Sequence, residues 1–403
     1  MNLPVNAGNQ ESSPYEKLDI FATVLSVIEQ NYAGAPKDKA LIEGAITGML
    51  KTLDPHSSFL TPDDFKMLRE DTDGNFCGVG LEVVIKDNYL TVITPIDNSP
   101  AKKAGILAGD VILKIDGLSA LSMDIEDAVH LMRGQEGTKV TVTLLRKGVD
   151  RPFDVILKRG VITLKSVDSK ILADGIVYIK ISTFTDDVSS QIKESLKSAG
   201  SGLKGVVIDL RGNPGGLMYE AVKSADLFIS KGTILTTRGR DGKILEEFKA
   251  HSAGTFNNLA VVVLINGSSA SASEILAGAL KENGTAFIAG SRSFGKGSVQ
   301  TIIPLKGGYG LKLTTALYYT PGGKSIQAKG IEPDIVLNEA SSVDISGKTD
   351  KSREAEGYYE SDLPGHFKTE GEEDKHPDIK EPQIRAAFFL VKALARKLFP
   401  DKK

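Results

Sequence analysis

Residues 261–300, VVVLINGSSASASEILAGALKENGTAFIAGSRSFGKGSVQ, constrain this chain more than any other stretch. Residues 261–265 are a continuous apolar run rich in β-branched side chains, which reads as a buried strand. Asn266-Gly267 ends it. Small residues follow, then Ile275, Leu276 and Leu280 at near-helical spacing, and Asn283-Gly284 supplies a glycine stop. Residues 285–289 read as a second strand, 290–297 as a glycine-punctuated turn and 298–304 as a third extended segment. A strand entering a helix through small residues brings a side chain to the helix N-terminus. Backbone N–H groups point outward there and the dipole favours negative charge. Ser271 stands at that point, with the Ala272 N–H beside it as a donor for an oxyanion. Ser271-Ala272-Ser273-Glu274 also spells an ordinary capping box, so spacing alone does not separate a cap from a nucleophile.

A serine nucleophile needs a base. None of the five histidines, His56, His130, His251, His366 and His376, lies in this stretch. Lys296 does, between Gly295 and Gly297. A lysine serves as a base only when burial lowers its pKa toward neutrality. Flanking glycines let the backbone pack closely, and Phe294 is placed to help dehydrate the amine. In an extended chain residues 296, 298 and 300 share one face, so Gln300 can accept a hydrogen bond from Lys296. The competing reading is a solvated surface lysine. Residues 290–297, GSRSFGKG, are also one residue short of a phosphate-binding P-loop, and residues 206–209 mimic a Walker B strand. That motif needs Ser or Thr where Gly297 stands, and a helix where SVQTIIPL reads as a strand.

With 403 residues, two or three domains are expected. A net charge of −3 without a basic block argues against nucleic acid as a partner. The one cysteine, Cys77, excludes an intrachain disulfide. No apolar run approaches membrane-spanning length. The first 13 residues lack an apolar signal core, which suits a cytoplasmic protein or a mature form without its leader.

Residues 1–75 read as a helical region. Leu18, Phe21, Val24, Leu25 and Ile28 form one apolar stripe; Leu41, Ile42, Ala45, Ile46 and Leu50 form another. So short a unit makes a poor core alone, which raises dimerisation as an alternative to internal packing. His56, in DPHSSF, is explained by turn structure. Residues 76–162 read as a compact α+β module of short alternating strands and two short helices. Residues 163–340 read as an α/β core, with strands, glycine turns and helices in alternation. Residues 341–403 read as a charged linker and a final helix at 383–399. His366 and His376 in that linker have no metal-ligand spacing.

SASASE followed by FGKGSVQ resembles the carboxyl-terminal processing proteases, also called tail-specific proteases, of peptidase family S41. These are Ser–Lys peptidases with a PDZ domain. The resemblance covers about residues 15–340, with TPGG and GIEPD also fitting. It implies a ClpP/crotonase-like catalytic core, with Ser271 as nucleophile, Lys296 as base and Gln300 orienting the lysine. The loop 211–216 becomes a second oxyanion wall, its Gly216 N–H facing that of Ala272. GVGL followed by PAKKAGILAGDVILKIDG resembles a circularly permuted PDZ domain. Gly78, Val79, Gly80 and Leu81 would then hold a peptide's terminal carboxylate in a backbone nest. Pockets would come from the helix near residues 128–132, and Arg133 would report occupancy to the active site.

The implied activity is a serine endopeptidase that captures the C-terminal tails of protein substrates and cuts near them, with no cofactor or metal. It implies an exported, periplasmic or cell-envelope protein whose signal is not present in this chain. It also implies a homo-oligomer, dimer or higher, and allows an adaptor protein as a further partner. The alternatives are a non-catalytic PDZ scaffold on a protease-like fold, and a hydrolase using His251.

Overall fold

The computed structural model describes residues 14–337 and 381–398, except 73, 87, 97, 122, 164 and 253–255. His366, His376 and nearly all of the charged segment lie outside the described residues. The chain divides into two compact units, 1–66 with 300–315, and 67–299 with 316–403.

In the first unit, helices Pro14–Asn31 and Asp38–Lys51 carry the two apolar stripes. Leu50 is buried, whereas Leu18, Phe21 and Val24 are exposed. Asp54 fixes the turn between the second helix and strand Ser58–Leu60 by accepting from the N–H groups of His56 and Ser57, at 2.7 and 2.9 Å. This is the turn chemistry expected of Asp-Pro-His. The strand pairs antiparallel with residues 310–312. Tyr309 stacks on Phe59 with ring centroids 5.2 Å apart and donates to Glu43 at 2.8 Å.

The second unit holds two cores. An antiparallel sheet runs Leu81–Lys86, Tyr89–Pro95, Val111–Ile115, Lys139–Leu145 and Phe153–Lys158. Its inward residues, among them Leu90, Ile112, Val142 and Leu157, pack with Ala128 and Met132 of helix Ile125–Met132. Asp124 caps that helix, accepting from the Asp127 N–H at 2.7 Å.

The larger core is a sheet in the order Val167–Ile171, Ile176–Ile181, Gly205–Asp209, Ala260–Ile265, Phe287–Gly290, Ile335–Val336. Its first pair is antiparallel and the rest are parallel. Both faces are covered, which is why its central strands are unbroken apolar runs in the sequence. Helices Val188–Ser198, Met218–Asp226 and Ala272–Glu282 contribute to the hydrophobic cluster on one face. The C-terminal helix Pro382–Leu398 covers the other, burying Ile384, Ala387, Phe388 and Val391 against Val207, Val262 and Leu264.

At Gly205 that helix packs directly on the strand backbone. A Cβ there would stand 2.3 Å from the Val391 side chain and 2.9 Å from the Ala260 carbonyl oxygen. Gly205→Ala should therefore destabilise the fold by about 1–3 kcal/mol through overpacking. Gly202→Ala, with nothing within 4 Å of the added carbon, is the control. Thermal melts of the two variants check this, and equal midpoints would refute the close seating of the helix.

Candidate active site

Strand Ala260–Ile265 runs through a turn into helix Ala272–Glu282, and Ser271 is the residue at the junction. Its backbone sits at φ 54°, ψ −113°, a region a non-glycine residue occupies only when its surroundings hold it there. A sharp, strained strand-to-helix turn is how α/β hydrolases expose a serine nucleophile. Here the hold comes from Glu274. The Ser271 N–H donates to Glu274 Oε2 at 2.8 Å, and the Glu274 N–H returns to the Ser271 carbonyl at 2.9 Å.

Glu274 does more than cap its helix. Its Oε2 also accepts from the Lys296 N–H at 2.9 Å, while Oε1 accepts from the Gly295 N–H at 2.7 Å and the Ser293 hydroxyl at 2.5 Å. One oxygen atom thus holds the backbones of Ser271 and Lys296. The residue is 1% exposed. Burial pushes its pKa above the ordinary glutamate value, and the donors from Ser293, Lys296, Ser271 and Gly295 pull it part of the way back.

The glycines around Lys296 allow the close packing their spacing suggested. A Cβ at Gly297 would lie 2.7 Å from the Gln327 nitrogen, and one at Gly295 would lie 3.1 Å from the nitrogens of Lys329 and Gly330. Lys296 itself is half-buried. Phe294 departs from expectation: it is 63% exposed, because its neighbours Ser293 and Gly295 both face inward and the ring is turned to solvent. The N–H groups of Ser291 and of residues 293–297 all donate to protein acceptors. They form no phosphate cradle, and a strand follows, so the P-loop likeness has no structural counterpart.

A residue the sequence reading missed completes the surroundings. Tyr318, 3% exposed, donates its phenol hydroxyl to the Lys296 carbonyl, and its N–H donates to the Gly297 carbonyl at 2.9 Å. Burial pushes the phenol pKa far up; a hydrogen bond with the Ser271 side chain opposes this, and the Glu274 charge adds to it. Only the alternating strand pattern around Tyr318 was visible in the sequence, and that gives no hint of its partners.

The loop after Asp209 meets Ser271 from the other side. A Cβ at Gly215 would stand 2.8 Å from the Ser271 Cβ and 3.0 Å from the Ala272 nitrogen. Gly216, at φ 131°, lies against the Phe184 backbone. The Phe184 N–H donates to the Gly215 carbonyl, and the Leu217 N–H to the Phe184 carbonyl. Among the described residues, neither the Gly216 nor the Ala272 N–H has a hydrogen-bond acceptor.

Gln300 belongs to the first unit, where its amide donates to Thr314 Oγ1 at 3.3 Å. His251 is paired with Asp226 at 3.1 Å, its side chain 77% exposed. In the smaller core, Gly80 sits at φ 74°, and a Cβ there would meet the Ser99 Cβ at 2.3 Å, so only glycine fits. The carbonyls of Val79 and Gly80 accept from the N–H groups of Ala101 and Ile96, at 2.9 and 3.0 Å. Gly78 ends one strand and Leu81 begins the next. The Arg133 guanidinium lies over the Phe76 ring at 4.5 Å, beside Gly78. Ala128 and Met132, on the helix expected to supply peptide pockets, are buried in the module's core.

Comparison with known proteins places this geometry. A family model described as peptidase family S41 matches residues 175–337, a PDZ-domain model matches 91–146, and a model of the activating protease CtpB N-terminal domain matches 3–63. A carboxy-terminal-processing protease of Bartonella bacilliformis is 44% identical over 376 residues, which is 91% of this chain and 84% of that protein. The chain belongs to the S41 carboxy-terminal-processing protease family. A probable CtpA-like serine protease of Staphylococcus aureus is 38% identical over 339 residues, 82% of this chain and 68% of that one. The solved photosystem II D1 C-terminal processing protease is 31% identical, with a TM-score of 0.53 over 81% of this chain and 87% of its own.

In this S41 protease, Glu274→Gln should disrupt the junction. An amide cannot accept through its nitrogen, so at least one pair of buried donors loses its acceptor, at about 1–3 kcal/mol for each. The melting temperature should fall by several degrees and peptidase activity by more than tenfold. Ser293→Ala removes one donor to Glu274 and strips the Ile331 N–H of its acceptor, so it should also lower the melting temperature, but it leaves the Ser271 and Lys296 N–H groups bonded to Glu274. Calorimetry beside a peptide-cleavage assay checks both, and a Glu274→Gln protein that melts and cuts like the parent would refute the coupling.

Proposed function

We propose that the chain is a serine endopeptidase that captures the C-terminal tail of a protein substrate through its PDZ domain and cleaves near it with a Ser271–Lys296 dyad. The observation that carries this reading is the shared carboxylate oxygen: Ser271 and Lys296 each donate a backbone N–H to Glu274 Oε2. Ser271 Oγ attacks the scissile carbonyl while the Lys296 amine takes its proton. The lysine then gives that proton to the leaving amine, and water hydrolyses the acyl-enzyme. The Gly216 and Ala272 N–H groups, lacking acceptors of their own, receive the oxyanion, each worth about 3 kcal/mol. Gln300 is assigned to orient Lys296 on the period-two spacing of residues 296 and 300 and on the family resemblance.

The tail-capturing half rests on the loop 78–81. Among the described residues no acceptor meets the Val79 and Gly80 N–H groups, which lie between two strands and are left to meet a carboxylate. The peptide would then add as a strand beside Leu81–Lys86. The exposed stripe Leu18, Phe21 and Val24 supports self-association through the N-terminal helices.

The test is an unstructured peptide ending in apolar residues, offered with a free or an amidated C-terminus. The unaltered protein should cut the free acid in preference. Ser271→Ala and Lys296→Ala should each lose at least a hundredfold in kcat. Equal cleavage of both peptides would remove the carboxylate nest from the account. Activity unaffected by both substitutions would leave a binding scaffold with some other catalyst in the sample. A lysine base works only when neutral, so kcat/KM should climb with pH across the neutral to alkaline range. A flat profile would count against Lys296.

A further inference from the structure

The oxyanion loop is anchored by a network that begins outside the S41 match. Asp209, fully buried at the end of strand Gly205–Asp209, accepts from the Tyr178 hydroxyl at 2.8 Å. It also accepts from Arg211 three times: Oδ1 from the backbone N–H at 3.0 Å and Nε at 2.9 Å, Oδ2 from Nη2 at 2.6 Å. The other edge of the guanidinium faces the start of the C-terminal helix. Nη1 donates to Glu381 Oε1 at 2.9 Å and to Gln383 Oε1, and Nη2 donates to Glu381 Oε2 at 3.3 Å. Burial works against the Arg211 charge, but the bonds to Asp209 and Glu381 outweigh it and hold the pKa above its usual value.

Glu381 is fixed in turn. It caps the helix, accepting from the N–H groups of Gln383 and Ile384 at 3.3 and 2.7 Å, where the dipole favours its charge. Gln383 also donates to the Leu337 carbonyl at 2.9 Å. From Arg211 the loop is tied almost residue by residue. The Gly212 N–H donates to Asn266 Oδ1 at 3.0 Å. Asn213, fully buried, donates to the Ile181 carbonyl and accepts the Gly215 N–H, while its own carbonyl accepts from Ala270 N–H and Ser273 Oγ. Gly216 comes next.

We propose that Glu381 and Gln383 are positioning residues: through Arg211 they set the loop 211–216, and with it the Gly216 N–H, against Ser271. The C-terminal helix is then a working part of the catalytic unit although it lies beyond residues 175–337. The proposal rests on the reading of Gly216 as an oxyanion donor.

The experiment uses the full chain with Glu381→Gln, and with Glu381→Ala combined with Gln383→Ala. Turnover of the free-acid peptide is measured well below each variant's melting temperature, together with binding of a peptide boronate, which forms a tetrahedral adduct on serine. A displaced donor should lower kcat roughly 10- to 100-fold in the double variant and weaken the boronate by a similar factor, with KM within about threefold. Glu381→Gln, which keeps one acceptor for Arg211, should fall between. A lowered melting temperature with kcat and boronate affinity unchanged would overturn the proposal and leave the helix as a cover for the sheet. If Ser271→Ala abolishes turnover but the Glu381 variants retain it, this proposal fails alone. If turnover survives Ser271→Ala, the site reading fails and takes the proposal with it.

Discussion

Everything at the junction depends on one buried carboxylate. Glu274 brings four donors from two segments to a single point, among them the backbone N–H groups of Ser271 and Lys296. Placing a carboxylate away from water costs several kcal/mol unless its lone pairs are occupied, and here they are. The same bonds hold Ser271 in a backbone conformation it would not adopt alone. Strain and burial are both unfavourable locally. They persist because the helix behind them, Ala272–Glu282, is buried along almost its whole length and cannot shift without opening the core.

The parallel sheet explains why the two walls of the site meet. Strands Gly205–Asp209 and Ala260–Ile265 are neighbours in register, with Asp209 beside Leu264. The chain leaves both at their carboxyl ends, one into the loop that reaches Gly216 and the other into the turn that presents Ser271. Sites in open parallel sheets form at such ends because the connecting loops converge there. The loop after Asp209 contains Gly212, Gly215 and Gly216, all at positive φ. At Gly215 and Gly216 a side chain would strike Ser271 or the Phe184 backbone, so the glycines set how closely the walls approach.

Much of this was legible in the sequence where the information is local. Strand Ser298–Pro304 stands where an extended segment was expected, and the capping motif placed Ser271 at the helix start. What was illegible is non-local. Glu274 read as a cap because its cap partner is three residues away, whereas Ser293, Gly295 and Lys296 are 19, 21 and 22 residues away. Arg211 finds Glu381 across 170 residues, with the undescribed segment between. Nothing in composition or spacing announced that residues 300–315 fold with the N-terminal helices. Phe294 was misjudged for the opposite reason: its apolar character suggested burial, but the inward turns of Ser293 and Gly295 on either side send it out.

The surroundings of the candidate groups bear on the proposed choice of Lys296 as base. Glu274 is within reach, but its oxygens are occupied by four donors, so accepting a proton would break the junction it holds together. Tyr318 bonds the Ser271 side chain, but burial and the Glu274 charge keep its phenol neutral at any physiological pH, and a neutral phenol cannot act as the base. His251 is engaged with Asp226 at an exposed position. Lys296 differs from all three. Its backbone is fixed on both sides, by Glu274 at the N–H and by Tyr318 at the carbonyl, and the half-buried side chain extends from that fixed root. A main chain held in place is what a lysine base requires, because the ordering entropy of a long side chain is smaller when its root does not move.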